Sequence, residues 1–107
     1  MRRALPLLLL LAACDAAPEP AGASLSPALQ ARYLNHCANC HETGAADAPV
    51  RGDEADWSRR RARGFDVLFA RLRTGTNAMP PKGLCWDCSD EELTALARYV
   101  SGWEDGR

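Results

Sequence analysis

Two thiols and an imidazole stand within five residues, Cys37-Ala38-Asn39-Cys40-His41. On one helical turn, thiols three positions apart lie on the same face. There both can add to the two vinyl groups of a single porphyrin, and the next residue points its imidazole at the metal from that side. Cys-x-x-Cys-His is accordingly the attachment signature of a covalently bound haem. A bare Cys-x-x-Cys also serves zinc sites and thiol redox centres, so the two cysteines alone leave those readings open.

A six-coordinate electron-transfer haem takes its second axial ligand from the opposite face, usually Met or His. The chain has two methionines, and Met1 is the initiator, which leaves Met79 as the thioether. Met79 sits in Thr76-Asn77-Ala78-Met79-Pro80-Pro81, where two prolines predict an extended loop lacking two backbone donors. Such a loop suits holding a sulfur over a flat cofactor better than filling a core gap. The other histidine, His36, directly precedes Cys37. It cannot easily reach the far side of the same haem and reads as a surface residue late in a helix. With both axial positions filled, no site remains for oxygen, peroxide or another small-molecule substrate. The residues therefore point to one-electron transfer rather than to an enzyme.

These side chains must be positioned by a small frame. Ser26-Pro27 starts a helix, with Ser as cap and Pro at the first helical position. Leu29, Tyr33, Leu34 and Cys37 predict one apolar stripe that runs into the Cys37–His41 segment. Residues 42–52 read as a loop. Asp53 caps a short helix to about Arg60 that turns Trp57 inward. Phe65, Leu68, Phe69 and Leu72 recur at helical spacing until Gly75. Ser89-Asp90-Glu91-Glu92 is a capping box, and Leu93, Leu96, Ala97 and Val100 predict the core face of a last helix ending near Gly102-Trp103. No strand and no internal repeat is legible. The folded part, Ser24 to Trp103, is about 80 residues, marginal for a core of its own. A buried porphyrin would supply the missing apolar contact.

The 107 residues are 25% charged and 47% hydrophobic, one small domain behind a leader. Met1-Arg2-Arg3 is a positive n-region, and Ala4 to Ala13 is an apolar stretch too short to span a bilayer. It ends in Leu11-Ala12-Ala13-Cys14, which resembles a bacterial lipobox. Residues 1–13 then form a lipoprotein-type signal peptide, and Cys14 carries the lipid. Residues 14–23 make a flexible anchored linker that reaches on the order of 30 Å when extended. The haem domain is 24–107. Asp15 resembles the lipoprotein signal for retention at the inner membrane, which places the domain on its periplasmic side. Cleavage lowers the basic residues from 13 to 11 against 14 acids, a net charge of −3. That offers nothing for nucleic acid.

The order helix, Cys-x-x-Cys-His, loop, helix, Met, helix resembles the class I cytochromes c. These are all-α folds of three to five helices around one haem c. Within them the chain is similar to the bacterial cytochrome c-five group. The most specific matches are Ala48-Pro49, Asn77 to Gly83, and Cys85-x-x-Cys88 followed by Ser89-Asp90-Glu91-Glu92-Leu93. The resemblance implies that Pro49 offers its carbonyl to the proximal imidazole N–H and that Cys85 and Cys88 form a disulfide. Oxidation of a close thiol pair in an exported protein points the same way. It further implies redox partner proteins of a respiratory chain: an oxidase, a reductase or a cytochrome complex.

Competing readings remain. The chain could be the electron-input subunit of a larger membrane oxidoreductase. Cys85-Trp86-Asp87-Cys88 could be a thioredoxin-like centre, although no βαβ pattern accompanies it. The two cysteine pairs could hold zinc, although 44 residues separate Cys40 from Cys85. Alanines 45, 46, 48 and 78 with Pro80 and Pro81 predict an apolar rim for docking. The run Arg59-Arg60-Arg61 with Arg63 reads as a solvated face paired with Asp53, Glu54 and Asp56, with electrostatic docking as the alternative.

Overall fold

The structure, a computed structural model, describes residues 24–104. Cys14, the leader and the linker lie outside the described residues. Five helices follow one another: α1 (Pro27–His36), α2 (Ala38–His41), α3 (Glu54–Arg61), α4 (Phe65–Thr74) and α5 (Asp90–Ser101). Two 3-10 turns, Ala45–Asp47 and Pro81–Leu84, interrupt the connections. Among the described residues there is no strand, only an isolated bridge between Thr76 and Met79.

Local chemistry sets the helix ends. Ser26 caps α1 with its hydroxyl on the Leu29 N–H, and Pro27 opens it. Asp53 caps α3 through the Asp56 N–H. The α5 capping box is complete in both directions, Ser89 Oγ taking the Glu92 N–H and Glu92 Oε1 taking the Ser89 N–H. Gly102 ends α5 in the left-handed conformation that favours glycine.

The helix expected to run unbroken into Cys37–His41 instead bends at Cys37, whose φ of −119° separates α1 from α2. The bend keeps the backbone paired, since Cys37 N–H still reaches Tyr33 and His41 N–H reaches Cys37. Leu34 also departs from expectation. Tyr33 is buried, whereas Leu34 is 62% exposed. One residue advances a helix by 100°, so the stripe through Leu29, Tyr33 and Cys37 leaves Leu34 on the solvent side.

α1, α4 and α5 pack together, with α3 against α4 and the Pro81–Leu84 turn against α4. The buried apolar core is small: Tyr33, Trp57, Leu93, Leu96 and Val100, with Cys85 and Cys88. Leu68 and Leu72 of α4, with Leu93, Leu96 and Val100 of α5, also border a cavity.

Candidate functional site

A cavity of about 220 Å³ lies between the helices. Cys37, Cys40, His41 and Met79 all border it. α2 presents Cys40 and His41, and the bend places Cys37 at its start. Neither cysteine is in a disulfide. Burial pushes the Cys37 thiol up to about 11. Reactive redox thiols are shifted the other way, which sets Cys37 apart from them.

His41 is buried, and its Nδ1–H donates to the Pro49 carbonyl at 2.8 Å. That fixes the tautomer and leaves Nε2 as the free lone pair. The same three-residue segment grips His41 from its backbone side, because Arg51 N–H donates to the His41 carbonyl at 2.7 Å. Val50 between them accepts from the Trp57 indole N–H at 2.9 Å and from Asp53 N–H at 3.0 Å.

Met79 is held more tightly than an extended loop would hold it. Thr76 and Met79 exchange both backbone bonds, at 2.9 and 3.1 Å, across a two-residue turn. Asn77 carries φ +49° at the first central position, the conformation of a type II′ turn. Pro80 is extended and borders the cavity. Pro81, expected on the rim, packs away from it against Gly75. Ala45, Ala46, Ala48 and Ala78 do border the cavity.

His36 was expected on the surface. It is the last residue of α1, half-buried, and borders the same cavity beside Cys37. Its spacing from Leu29 and Tyr33, seven and three residues, puts it beside the buried stripe of α1. Met79 comes from a separate segment of chain.

A cluster on the proximal side escaped the sequence reading. Tyr33 donates its hydroxyl to Glu42, and Arg51 Nε meets Glu42 at 2.5 Å and the Tyr33 oxygen at 3.3 Å. The Arg51 guanidinium lies 4.7 Å from the Tyr99 ring centre. Arg51, and after it Tyr33, holds the Glu42 carboxyl below its ordinary range. Burial, and after it Glu42, pushes the Tyr33 hydroxyl up. The cluster ties the Pro49–Arg51 segment to α1 and α5. No local pattern announces it, because its members lie 9 to 18 residues apart.

Cys85 and Cys88 form a disulfide with S–S 1.99 Å and Cα–Cα 5.4 Å. Their exposures of 1% and 6% shut out thiol exchange with another protein. The bond also removes both sulfurs from metal chemistry. Among the described residues no group of three or more His, Cys, Asp or Glu is placed to hold a metal ion, so the zinc reading fails. Arg32 lies over the bond, its Nη1 at 3.2 Å from Cys85 Sγ and 3.0 Å from Asp87, with Nε at 3.0 Å from Glu92.

The arginine run takes the quieter reading. Arg59 and Arg60 pair with Asp56 at 3.3 and 3.0 Å, and Arg61 with Glu54. Asp53 caps the helix instead of pairing.

The cavity fits a covalently held haem by its donor set. It offers two unpaired thiols, one imidazole nitrogen and one thioether on walls of leucine, alanine and proline.

Residues 26–100 match the family model described as cytochrome C oxidase, cbb3-type, subunit III. Cytochrome c5 of Azotobacter vinelandii is 49% identical over 69 residues, covering 63% of this chain and 83% of the relative. Cytochrome c-555 of Chlorobaculum thiosulfatiphilum is 34% identical over 77 residues, covering 68% and 90%. Among solved structures, a chain of the electron transfer complex of nitrite reductase with cytochrome c superposes with a TM-score of 0.65 at 36% identity. That match covers 73% of this chain and 95% of the other.

Proposed function

This chain belongs to the cytochrome c family, and on that premise we propose that it is a one-electron carrier of a bacterial respiratory chain, tethered to a membrane by a lipid on Cys14. The fold is that of the class I c-type cytochromes, and the cofactor is one covalently bound haem c. The carrier reading rests on one observation: Cys37, Cys40, His41 and Met79 border a single cavity.

When bound, the haem supplies one-electron chemistry at its iron. Cys37 and Cys40 would hold it through their sulfurs, and His41 Nε2 and the Met79 thioether would bind its iron. The Pro49 carbonyl keeps the His41 proton on Nδ1 and so keeps Nε2 available. The Thr76–Met79 turn holds the thioether in place, and a thioether ligand favours the reduced form relative to a second imidazole. With His41 and Met79 both on the iron, no position would be left for a substrate, which supports electron transfer over catalysis. The exposed alanines 45, 46 and 78 at the cavity offer a surface of small side chains for weak redox partners.

The match to a cbb3-type oxidase subunit model favours one second reading, an electron-input subunit of a membrane oxidase. The superposition on a nitrite reductase complex supports protein redox partners of either kind. Detergent extraction followed by size fractionation separates the two. A carrier migrates alone, and a subunit migrates with haem-bearing partners.

The tether and its location on the periplasmic side of the inner membrane rest on the Leu11-Ala12-Ala13-Cys14-Asp15 pattern. A Cys14→Ala variant should leave the membrane fraction while keeping its visible spectrum. Retention of that variant in the membrane would remove the lipid from the account. Covalent attachment is tested by acid–acetone extraction, in which the colour should stay with the polypeptide.

A further inference from the structure

We infer that Trp57 is a positioning residue for electron transfer, acting on His41 through the Val50 carbonyl rather than by touching the cofactor's metal. His41 is held at both ends by residues 49–51, its ring by the Pro49 carbonyl at 2.8 Å and its backbone carbonyl by the Arg51 N–H at 2.7 Å. The Val50–Arg51 peptide is therefore the hinge of that grip. Its N–H end is on His41, and its carbonyl end takes two donors, the Asp53 N–H at 3.0 Å and the Trp57 indole at 2.9 Å.

The Asp53 bond belongs to the turn entering α3. The Trp57 bond is different in kind, because it ties the segment to a side chain 7% exposed and anchored in the core. The Trp57 ring also lies beside the His41 ring, with centres 6.1 Å apart and planes tilted by 37°. One residue thus braces both the imidazole and the segment that receives its proton.

The consequence follows from how ligand basicity is set. A firm Nδ1–H···O bond raises the electron donation of a metal-bound imidazole and so favours the oxidised metal. Removing the indole donor lets the 49–51 segment loosen, weakens that bond and raises the reduction potential. No proton or electron is consumed in this effect, which is a change in ligand strength.

The inference rests on His41 as an axial ligand, and the unaltered protein reports that separately through its own low-spin spectrum and hyperfine-shifted imidazole signals. The test uses the haem-loaded full chain. Trp57→Phe removes the donor and some bulk. Replacement of Trp57 by β-(3-benzothienyl)alanine keeps the shape and removes only the N–H. In both, the potential should rise, and the His41 ring N–H should exchange with solvent at least about threefold faster, while the visible spectrum stays low-spin. An unchanged potential and unchanged ring N–H exchange in the benzothienyl protein would overturn the inference, whatever happens to its unfolding midpoint. A purely packing role predicts that second result.

Discussion

Gly75 faces the Met79 carbonyl so closely that a Cβ on Gly75 would meet that oxygen at 2.9 Å and the Pro81 ring at 3.0 Å. Gly75 ends α4 with φ +81°, so an L side chain there meets both backbone strain and a collision. The helix terminus and the thioether loop are in this way one unit. Gly75→Ala should cost on the order of 2 kcal/mol and displace the Thr76–Met79 turn. The oxidised protein should lose part of its weak sulfur-to-iron charge-transfer absorption. An unaltered band together with an unaltered urea midpoint would show that the contact does not govern Met79.

The Cys85–Cys88 bond closes a loop of four residues in the buried core. Replacing both cysteines with alanine should lower stability by about 2 kcal/mol on the chain-entropy model. The visible spectrum should be preserved, because neither sulfur belongs to the haem-binding set. Loss of the haem spectrum in that variant would contradict this separation of roles.

Arg32 couples the fold weakly to pH through Asp87. Its hydrogen bond, and after it the Asp87 backbone, holds the Asp87 carboxyl below its ordinary range. A depressed folded value stabilises at pH above the ordinary carboxylate value of about 4 and is lost as pH falls through the folded value. Wild-type protein should therefore lose more stability between pH 5 and pH 3 than Arg32→Leu does. Parallel urea midpoints at the two pH values would contradict this. Asp87 is exposed, so the effect is small.

Arg61 is not a docking charge. It pairs with Glu54 and donates to the Ser101 carbonyl at 2.7 Å, joining α3 to the end of α5. Arg61→Ser should cost about 1 kcal/mol. Arg60→Ser with Arg61→Ser should leave the ionic-strength dependence of electron transfer to a redox partner unchanged. A flatter salt dependence would restore the docking reading.

Haem attachment and folding should be coupled. With Cys37 and Cys40 both replaced by alanine, far-UV circular dichroism should show most of the helicity lost, because few residues are buried outside the cavity walls. Full native helicity without haem would contradict the coupling.

What the sequence made legible was local. The Ser26, Asp53 and Ser89 caps, the Gly75 and Gly102 stops and the Cys37–His41 spacing each depend on residues within one or two turns. Composition singled out Met79, which borders the cavity. Other features depend on distant partners and carry no periodic signal. Arg32 reaches sulfurs 53 and 56 residues away, and Arg51 joins Tyr33 and Glu42 across the His41 loop. Leu34 was misplaced because an apolar residue 100° off the stripe looks, in sequence, like part of it. His36 stands late in α1 as expected, but its place three residues after Tyr33 puts it beside the buried stripe, which its polar side chain disguised.

The axial pair is tested most directly by the oxidised and reduced spectra of the membrane-derived protein beside those of Met79→Ala. The native oxidised form should show the sulfur-to-iron band, the variant should lack it, and the native reduced form should not bind carbon monoxide at neutral pH. A band that survives in Met79→Ala, or ready carbon monoxide binding by the native protein, would contradict ligation by His41 and Met79.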